Sequence, residues 1–227
     1  YGDWSSDVCS SDLAREPHTL ISRLGEYVKR TSSIRSVHLV HRLDRGVSGL
    51  LVFARTRECA EELQQQFAER KPERRYDALV AGVLQSDRGT IRSYLATGKN
   101  LGRYSVRSAD QGELAITHYE VVSRLADGPR SPAVTHVQVR LETGRRNQIR
   151  VHLAEAGHSV LGDDRYRVDL WSRIPWQPKR LALHASSLGL EHPRTGVPLQ
   201  FESPLPDELS GFLRFISAGE RDLRRGR

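Results

Sequence analysis

Between Tyr76 and Leu141 four strand-like stretches follow one another with no helical pattern between them, and this order limits the fold more than any other feature. Tyr76–Leu84 is a short β-compatible run, and a turn around Ser86–Gly89 leads into Thr90–Ala96. Ala115–Ser123 and Thr135–Leu141 alternate as half-buried strands do, with Val137, Val139 and Leu141 on one face. Strands in direct succession pair antiparallel, because a parallel neighbour needs a crossover of helix length. The expectation is an α+β fold with a largely antiparallel sheet. Leu181–Leu190 adds a further strand, and a tight turn at His192–Gly196 leads to Pro198–Phe201.

Helical spacing predicts the rest of the frame. His18–Tyr27 carries Leu20, Ile21 and Leu24 on one side, and a polar loop from Lys29 to Ser36 follows. Arg57–Lys71 has an N-cap in Thr56, an acidic first turn at Glu58, and a stripe of Ala60, Leu63 and Phe67 that stops at Pro72. Arg146–Ala156 is closed by Gly157, and Asp207–Ala218 starts after Pro206 with Leu209, Phe212, Leu213 and Ile216 on one face. Thr97–Ser108 reads as a basic loop, open to contact with phosphate or simply solvated, and Gly162–Arg173 also reads as loop.

The stretch of most chemical interest is His41–Thr56, HRLDRGVSGLLVFART. It sets Asp44 between Arg42 and Arg45, bends at Gly46–Gly49, and ends in an apolar run at Leu50–Ala54 that reads as a buried strand. A charged loop held by a rigid element is how catalytic loops are positioned, although charged loops are more often only solvated. The formal charge of +7, carried mostly by arginine, favours a polyanionic partner through counterion release, but does not separate RNA from DNA or from a basic enzyme without one. Two cysteines, Cys9 and Cys59, make neither a disulfide framework nor a zinc site, and none of the nine histidines sits at metal-ligand spacing. No dinucleotide, P-loop or nucleophile-elbow motif occurs, so neither a metal nor an organic cofactor is expected. No apolar run approaches membrane-spanning length, and a cytoplasmic, monomeric protein is the default expectation.

HRLDRGVSGLLVFART resembles the catalytic motif of the RluA-type pseudouridine synthases, which runs roughly H-R-L-D-x-x-T-S-G-L-L. RRYDALVAGVL at Arg74–Leu84, LETGRRNQIRVHLAEAGHSVLGDDRY at Leu141–Tyr166 and RLALHASSLGLEHPRTGVPLQFESPLP at Arg180–Pro206 resemble the same family in the same order. The resemblance implies a central mixed sheet crossed by a cleft, and an isomerase that converts uridine to pseudouridine in structured ribosomal or transfer RNA. It implies Asp44 as nucleophile, Arg150 as its ion-pair partner, and Tyr76 against the target base as a candidate for the C5 proton. Without the family, Tyr76 would pass as an ordinary strand-end tyrosine. Arg42 would occupy the space of a flipped nucleotide, and His41, Arg45, Arg75, Arg145 and Asn147 would contact RNA. Leu183 would pack under the site, or be a plain core leucine.

The chain departs from the family pattern in three places. Gly46 and Val47 replace an acidic–Thr pair, Arg146 and Asn147 stand where the family usually has Thr-His, and no K-P-x-G-like motif precedes the catalytic stretch. The opening Tyr1–Leu13, rich in Ser and Asp, is expected to be foreign or flexible, residues 14–219 to form a catalytic domain that begins inside the usual one, and residues 220–227 to be a basic tail. Two rival readings stand beside the synthase. One is a non-catalytic RNA-binding or chaperone module, indifferent to Asp44→Ala in function. The other is a two-carboxylate glycosidase, which would release free uracil but has no obvious second acid.

Overall fold

The computed structural model describes residues 19–31, 36–125, 133–167 and 174–225. Its centre is an eight-stranded sheet. The strands β4 (Glu73–Ala81), β5 (Arg88–Thr97), β6 (Arg103–Val106), β7 (Glu113–Leu125), β8 (Val134–Leu141), β9 (Leu183–Glu191) and β10 (Pro198–Glu202) lie in the order β10-β9-β4-β8-β7-β5-β6. All of these neighbours are antiparallel, while the two-residue β2 (Ser48–Gly49) runs parallel to β9, so the sheet is mixed. A separate ribbon pairs β1 (His38–Leu39) with β3 (Phe53–Ala54). With α1 (Leu20–Thr31), α2 (Arg57–Ala68), α3 (Gln148–Glu155) and α4 (Asp207–Arg225), the fold is α+β, as the strand order predicts.

The alternation of β4, β7 and β8 decides which face is which. Tyr76 pairs with Val139 and Ala78 with Val137, and across β8 Val139 meets Tyr119 and Val137 meets Val121. These residues belong to the main core, joined by Leu153 of α3 and by Leu209, Phe212 and Ile216 of α4. The helix α3 crosses this face through polar as well as apolar contacts. His152, wholly buried, shares hydrogen bonds with Thr117 and Ser93, and the Gln148 amide donates to the Ile116 carbonyl and the Thr117 hydroxyl. Such satisfied buried groups fix a rotation about the helix axis that apolar packing alone would leave loose.

Four expectations are corrected. Leu50–Ala54 is not a buried strand: only Ser48–Gly49 and Phe53–Ala54 pair, and of the run only Ala54 is buried. Leu50 and Val52 instead pack partly against a second small core below α2. Thr97–Ser108 is a hairpin rather than a loop, with Tyr94 opposite Val106 and Thr97 opposite Arg103. Its basic residue Arg103 is buried on Thr97, the Leu95 carbonyl and Glu113, which removes it from any phosphate surface. The helix α1 runs through Thr31 into the expected polar loop, whose residues 32–35 lie outside the described residues. The helix α4 continues to Arg225, so most of the expected tail is helical, as its Glu, Arg and Leu content favours. Residues 1–13, and 168–173 of the expected loop after Gly162, also lie outside the described residues.

Gly49 locks the bend onto the sheet. Its φ is +109°, and a Cβ there would sit 2.2 Å from the Ala185 carbonyl oxygen and 2.6 Å from the Ala185 nitrogen. Neither atom can move without breaking β9. Gly49→Ala is expected to cost roughly 3 kcal/mol or more, because unfavourable φ adds to a backbone clash. For a chain of this size thermal unfolding should register a fall of roughly 6–12 °C.

Candidate active site

Asp44 stands in the segment between β1 and β2, and its neighbours hold it there. Leu43 and Val47 are buried in the main core on either side, and the Val47 N–H closes a turn on the Asp44 carbonyl at 3.1 Å. Gly46 takes a φ of +81° while its carbonyl accepts from the Leu181 N–H at 3.1 Å. A side chain at Gly46 would press on that same nitrogen at 3.3 Å. Glycine therefore suits the bend this chain makes, and Val47 loses nothing by lacking a hydroxyl where it is buried.

Opposite Asp44 lies Arg150, in the first turn of α3. Arg150 Nη1 is 3.6 Å from Asp44 Oδ2, although the two are far apart in sequence. That distance is an ion pair rather than a short hydrogen bond. The guanidinium is held from behind by Asp163, whose Oδ2 accepts from Nε at 2.6 Å and whose Oδ1 accepts from Nη2 at 2.9 Å. Asp163 is completely buried, and Oδ1 also accepts the backbone N–H groups of Arg165 and Tyr166 at 3.0 and 3.1 Å. Arg150 lies 5.2 Å from the centre of the Tyr166 ring and donates to Asn147 Oδ1 at 3.0 Å. Burial works against the Arg150 charge, but Asp163 and Asp44 outweigh it and hold the pKa above its usual value.

Burial pushes the Asp44 pKa up from the ordinary carboxylate range. Arg150, the backbone N–H of Asn147 and Arg42 each oppose that rise without cancelling it. The Asn147 N–H belongs to the N-terminal end of α3, where unpaired amides and the helix dipole favour an anion. Asn147 itself is left-handed, with φ 56°, a conformation asparagine tolerates better than most residues.

Asp44 lies between two hollows. One, of about 360 Å³, has Tyr76, Leu183, Val47 and Ile149 as apolar walls, with Arg42, Arg74 and Arg145 around them. The other, of about 530 Å³, is strongly basic through Arg45, Arg146, Arg165, Lys179 and Arg180, with Arg150 at its back. Arg42, Asp44, Arg146 and Asn147 line both. Tyr76 is buried, and burial first, then the nearby Asp44 charge, raises its pKa while Arg74 opposes the rise. The phenol is therefore neutral at physiological pH. Leu183 is 2 % exposed and lines the smaller hollow, so it is at once a core leucine and part of the site wall.

The remaining expected residues divide. Arg145 is at the wall of the smaller hollow, tied to Glu113 at 2.7 Å. His41 stacks on Phe67 with centroids 4.5 Å apart, and its Nε2 accepts the Val52 N–H at 3.2 Å. Burial and the neighbouring Arg74 push its pKa down to about 4, so it is a neutral wall residue. Arg75 is not brought to this site; strand alternation turns it to the opposite face from Tyr76, beside Arg140. Three contributors were missed. Asp163 and Tyr166 act through Arg150, and Arg74 is a buried guanidinium 5.6 Å from the centre of the Phe67 ring with no bond at Nε. The GDDRY sequence at 162–166 was the available signal for the first two, since an acid among turn residues there has no reason to be buried unless it meets a cation. Among the described residues no cluster of three or more His, Cys, Asp or Glu could hold a metal ion, and no helix is long and apolar enough to cross a membrane.

Residues 6–155 match the model of a family described as RNA pseudouridylate synthase. This chain belongs to that family. It is 36% identical over 208 residues to the ribosomal large subunit pseudouridine synthase D of Pseudomonas aeruginosa, covering 87% of this chain and 62% of that one. It is 37% identical over 169 residues to the dual-specificity RNA pseudouridine synthase RluA of Pasteurella multocida, covering 72% and 71% respectively. The human RNA pseudouridylate synthase domain containing 1 has the same fold, with a TM-score of 0.71 at 24% identity over 93% of this chain and 85% of that structure. The chain spans about three-fifths of the length of several curated relatives.

The raised Asp44 pKa has a consequence for stability. A carboxyl whose folded pKa exceeds its unfolded one binds its proton more tightly in the native state. Stability therefore falls as pH rises from the unfolded value near 4 through the folded one. Asp44→Asn keeps the shape and removes that loss, while Arg150 retains Asp163. Its melting temperature at pH 7 should rise by roughly 1–4 °C, with the gain vanishing at low pH.

Proposed function

We propose that this chain isomerises uridine to pseudouridine in structured RNA, ribosomal or transfer, with Asp44 as nucleophile. The observation that carries the reading is the approach of Arg150 to Asp44 at 3.6 Å, at the junction of an apolar-walled hollow and a basic one. The reaction breaks the bond from uracil N1 to ribose C1′ and makes one from C5 to C1′. The C5 proton leaves and N1 regains one, so no oxidant or external group is consumed. An ionised Asp44 supplies the attacking oxygen, and Arg150 keeps the carboxylate charged and aimed where burial would otherwise protonate it.

Tyr76 and Leu183 line the apolar side of the hollow, which supports a surface for the detached base to rotate against and a role for Tyr76 with the C5 proton. A neutral phenol is a weak base, so that step uses the phenol in concert with Asp44 rather than as a free phenolate. A uridine in a stack must be flipped out at a cost of a few kcal/mol, and the position of Arg42 in the lining of both hollows supports its filling the space the base leaves. Arg45, Arg145, Arg146 and Asn147 line one or both hollows, which supports their contact with the RNA backbone. The protein acts as a cytoplasmic monomer, with RNA as its partner and no cofactor.

The test uses total RNA from a pseudouridine-deficient host. After incubation with the purified chain, carbodiimide adducts are mapped as reverse-transcription stops. Stops at one or a few uridines that disappear with Asp44→Ala are expected; their absence from a folded wild-type protein overturns the reading. Arg150→Lys tests the ion pair separately. A single ammonium cannot reproduce the fork that holds Asp163, and drawn to that buried acid it leaves Asp44 less compensated. The acid limb of kcat/KM should move to higher pH, with kcat down roughly 100-fold, whereas a purely structural arginine would lower activity equally at every pH.

A further inference from the structure

The face of the sheet opposite the core carries a row of basic residues that the site does not use. Arg75 of β4 is paired in register with Arg140 of β8, Arg140 with His118 of β7, and His118 with Thr90 of β5. At strand spacing the row spans about 14 Å. Arg88 lies two residues from Thr90, on the same face, and all three arginines are exposed. Like charges directly opposite on neighbouring strands are destabilising unless something offsets them. Among the described residues none of the three arginines has a carboxylate within ion-pair distance. Glu142 pairs with His118 at 2.5 Å and Asp87 with Arg124 at 2.7 Å, while Glu120, opposite Arg88 in register, makes no such pair.

Two hollows, of about 360 and 520 Å³, open along this row, and Arg75 and Arg140 line both. The second reaches Arg70, whose φ of 62° directs the chain round the end of α2 and which also lines the hollow holding Asp44 and Tyr76. Arg70, Lys71, Arg75 and Arg140 thus carry positive charge from the rim of the candidate active site onto the back of the sheet, with Glu73 and Glu142 between them and Glu142 paired to His118. The partner that fits is a phosphate backbone. The row is basic and elongated, and apolar groups meet it only at Tyr119 in one hollow and at Pro72 and Leu141 in the other, whereas a protein partner would be met by a cluster of apolar anchors.

We propose that Arg75, Arg88 and Arg140 form a second docking face, which grips the backbone of a helical part of the RNA while another part occupies the cleft. This rests on the reading of RNA as substrate, but is separable from the chemistry at Asp44.

The test measures binding of a fluorescent blunt 20-base-pair RNA duplex, with no loop to enter the cleft, across a range of salt. The wild-type chain is compared with Arg75→Gln/Arg88→Gln/Arg140→Gln, with Arg140→Gln alone, and with Asp44→Ala. The triple variant is expected to bind roughly tenfold more weakly near 0.1 M salt, with the slope of log affinity against log salt reduced by roughly 2 to 3, and the single variant by about 1. Asp44→Ala should bind as wild type does, so failure of the isomerase reading would leave this result standing. Unchanged affinity and slope in a folded triple variant would overturn the proposal. So would a wild-type chain that does not bind the duplex, or a triple variant that binds naked RNA normally and loses only protein-containing ribosomal particles.

Discussion

The arrangement around Asp44 depends on the bidentate pair between Asp163 and Arg150. Both partners are taken largely out of water, and such burial costs more than it returns unless every lone pair and proton is met. Here it is nearly met: Asp163 receives two guanidinium N–H groups and two backbone ones, and Arg150 adds Asn147 and the Tyr166 ring. A well-packed apolar pair of similar volume would hold the fold as well. What it would not do is present a rigid positive charge to Asp44. The pair is best understood as fixing position rather than as a source of stability.

The same economy governs β4. Its period of two sends Arg74 and Tyr76 to one side and Arg75 and Asp77 to the other, so one strand serves the cleft with one set of residues and the reverse face with the next. The register against β9 shifts between Arg75 and Tyr76. Such an irregularity re-aims the side chain beside it, and here it falls at the residue that walls the hollow above Leu183. Tyr76 therefore faces the site because of the strand's pairing on both sides, not through any preference of its own.

This explains what could and could not be read from the chain alone. The order of strands was legible because each carries its own alternation, and α2 because Thr56 and the Ala60, Leu63, Phe67 spacing are local signals. Leu50–Ala54 misled because an apolar run does not distinguish a paired strand from a loop packed across α2; pairing depends on what lies alongside. Arg103 misled because a guanidinium in a Gly-rich basic stretch looks solvated until β5 and Glu113 are seen to surround it. Asp44 and Arg150 were legible only through the family motif, since nothing in their separation implies contact. Asp163 carried a weak signal. Arg74 carried none, because Arg74 and Arg75 are the same residue type and only the strand's facing separates a buried arginine from an exposed one.

The departures from the family pattern are best judged by what each position must do. Residue 147 has to enter α3 from the left-handed region, turn its backbone N–H to Asp44, and satisfy both Tyr166 and Arg150 with its side chain. Asparagine meets all of these: its amide nitrogen donates to the Tyr166 hydroxyl at 3.1 Å while its oxygen accepts from Arg150 at 3.0 Å. A neutral imidazole also offers one donor and one acceptor, so the exchange preserves the hydrogen-bonding capacity and gives up only the possibility of a positive charge. That charge would sit next to a guanidinium already beside Asp44, where a second cation adds repulsion to Arg150 as well as attraction to the carboxylate. The position consequently needs polarity and backbone tolerance more than it needs a base, and Asn147 leaves the electrostatics of Asp44 to Arg150, the helix end and Arg42.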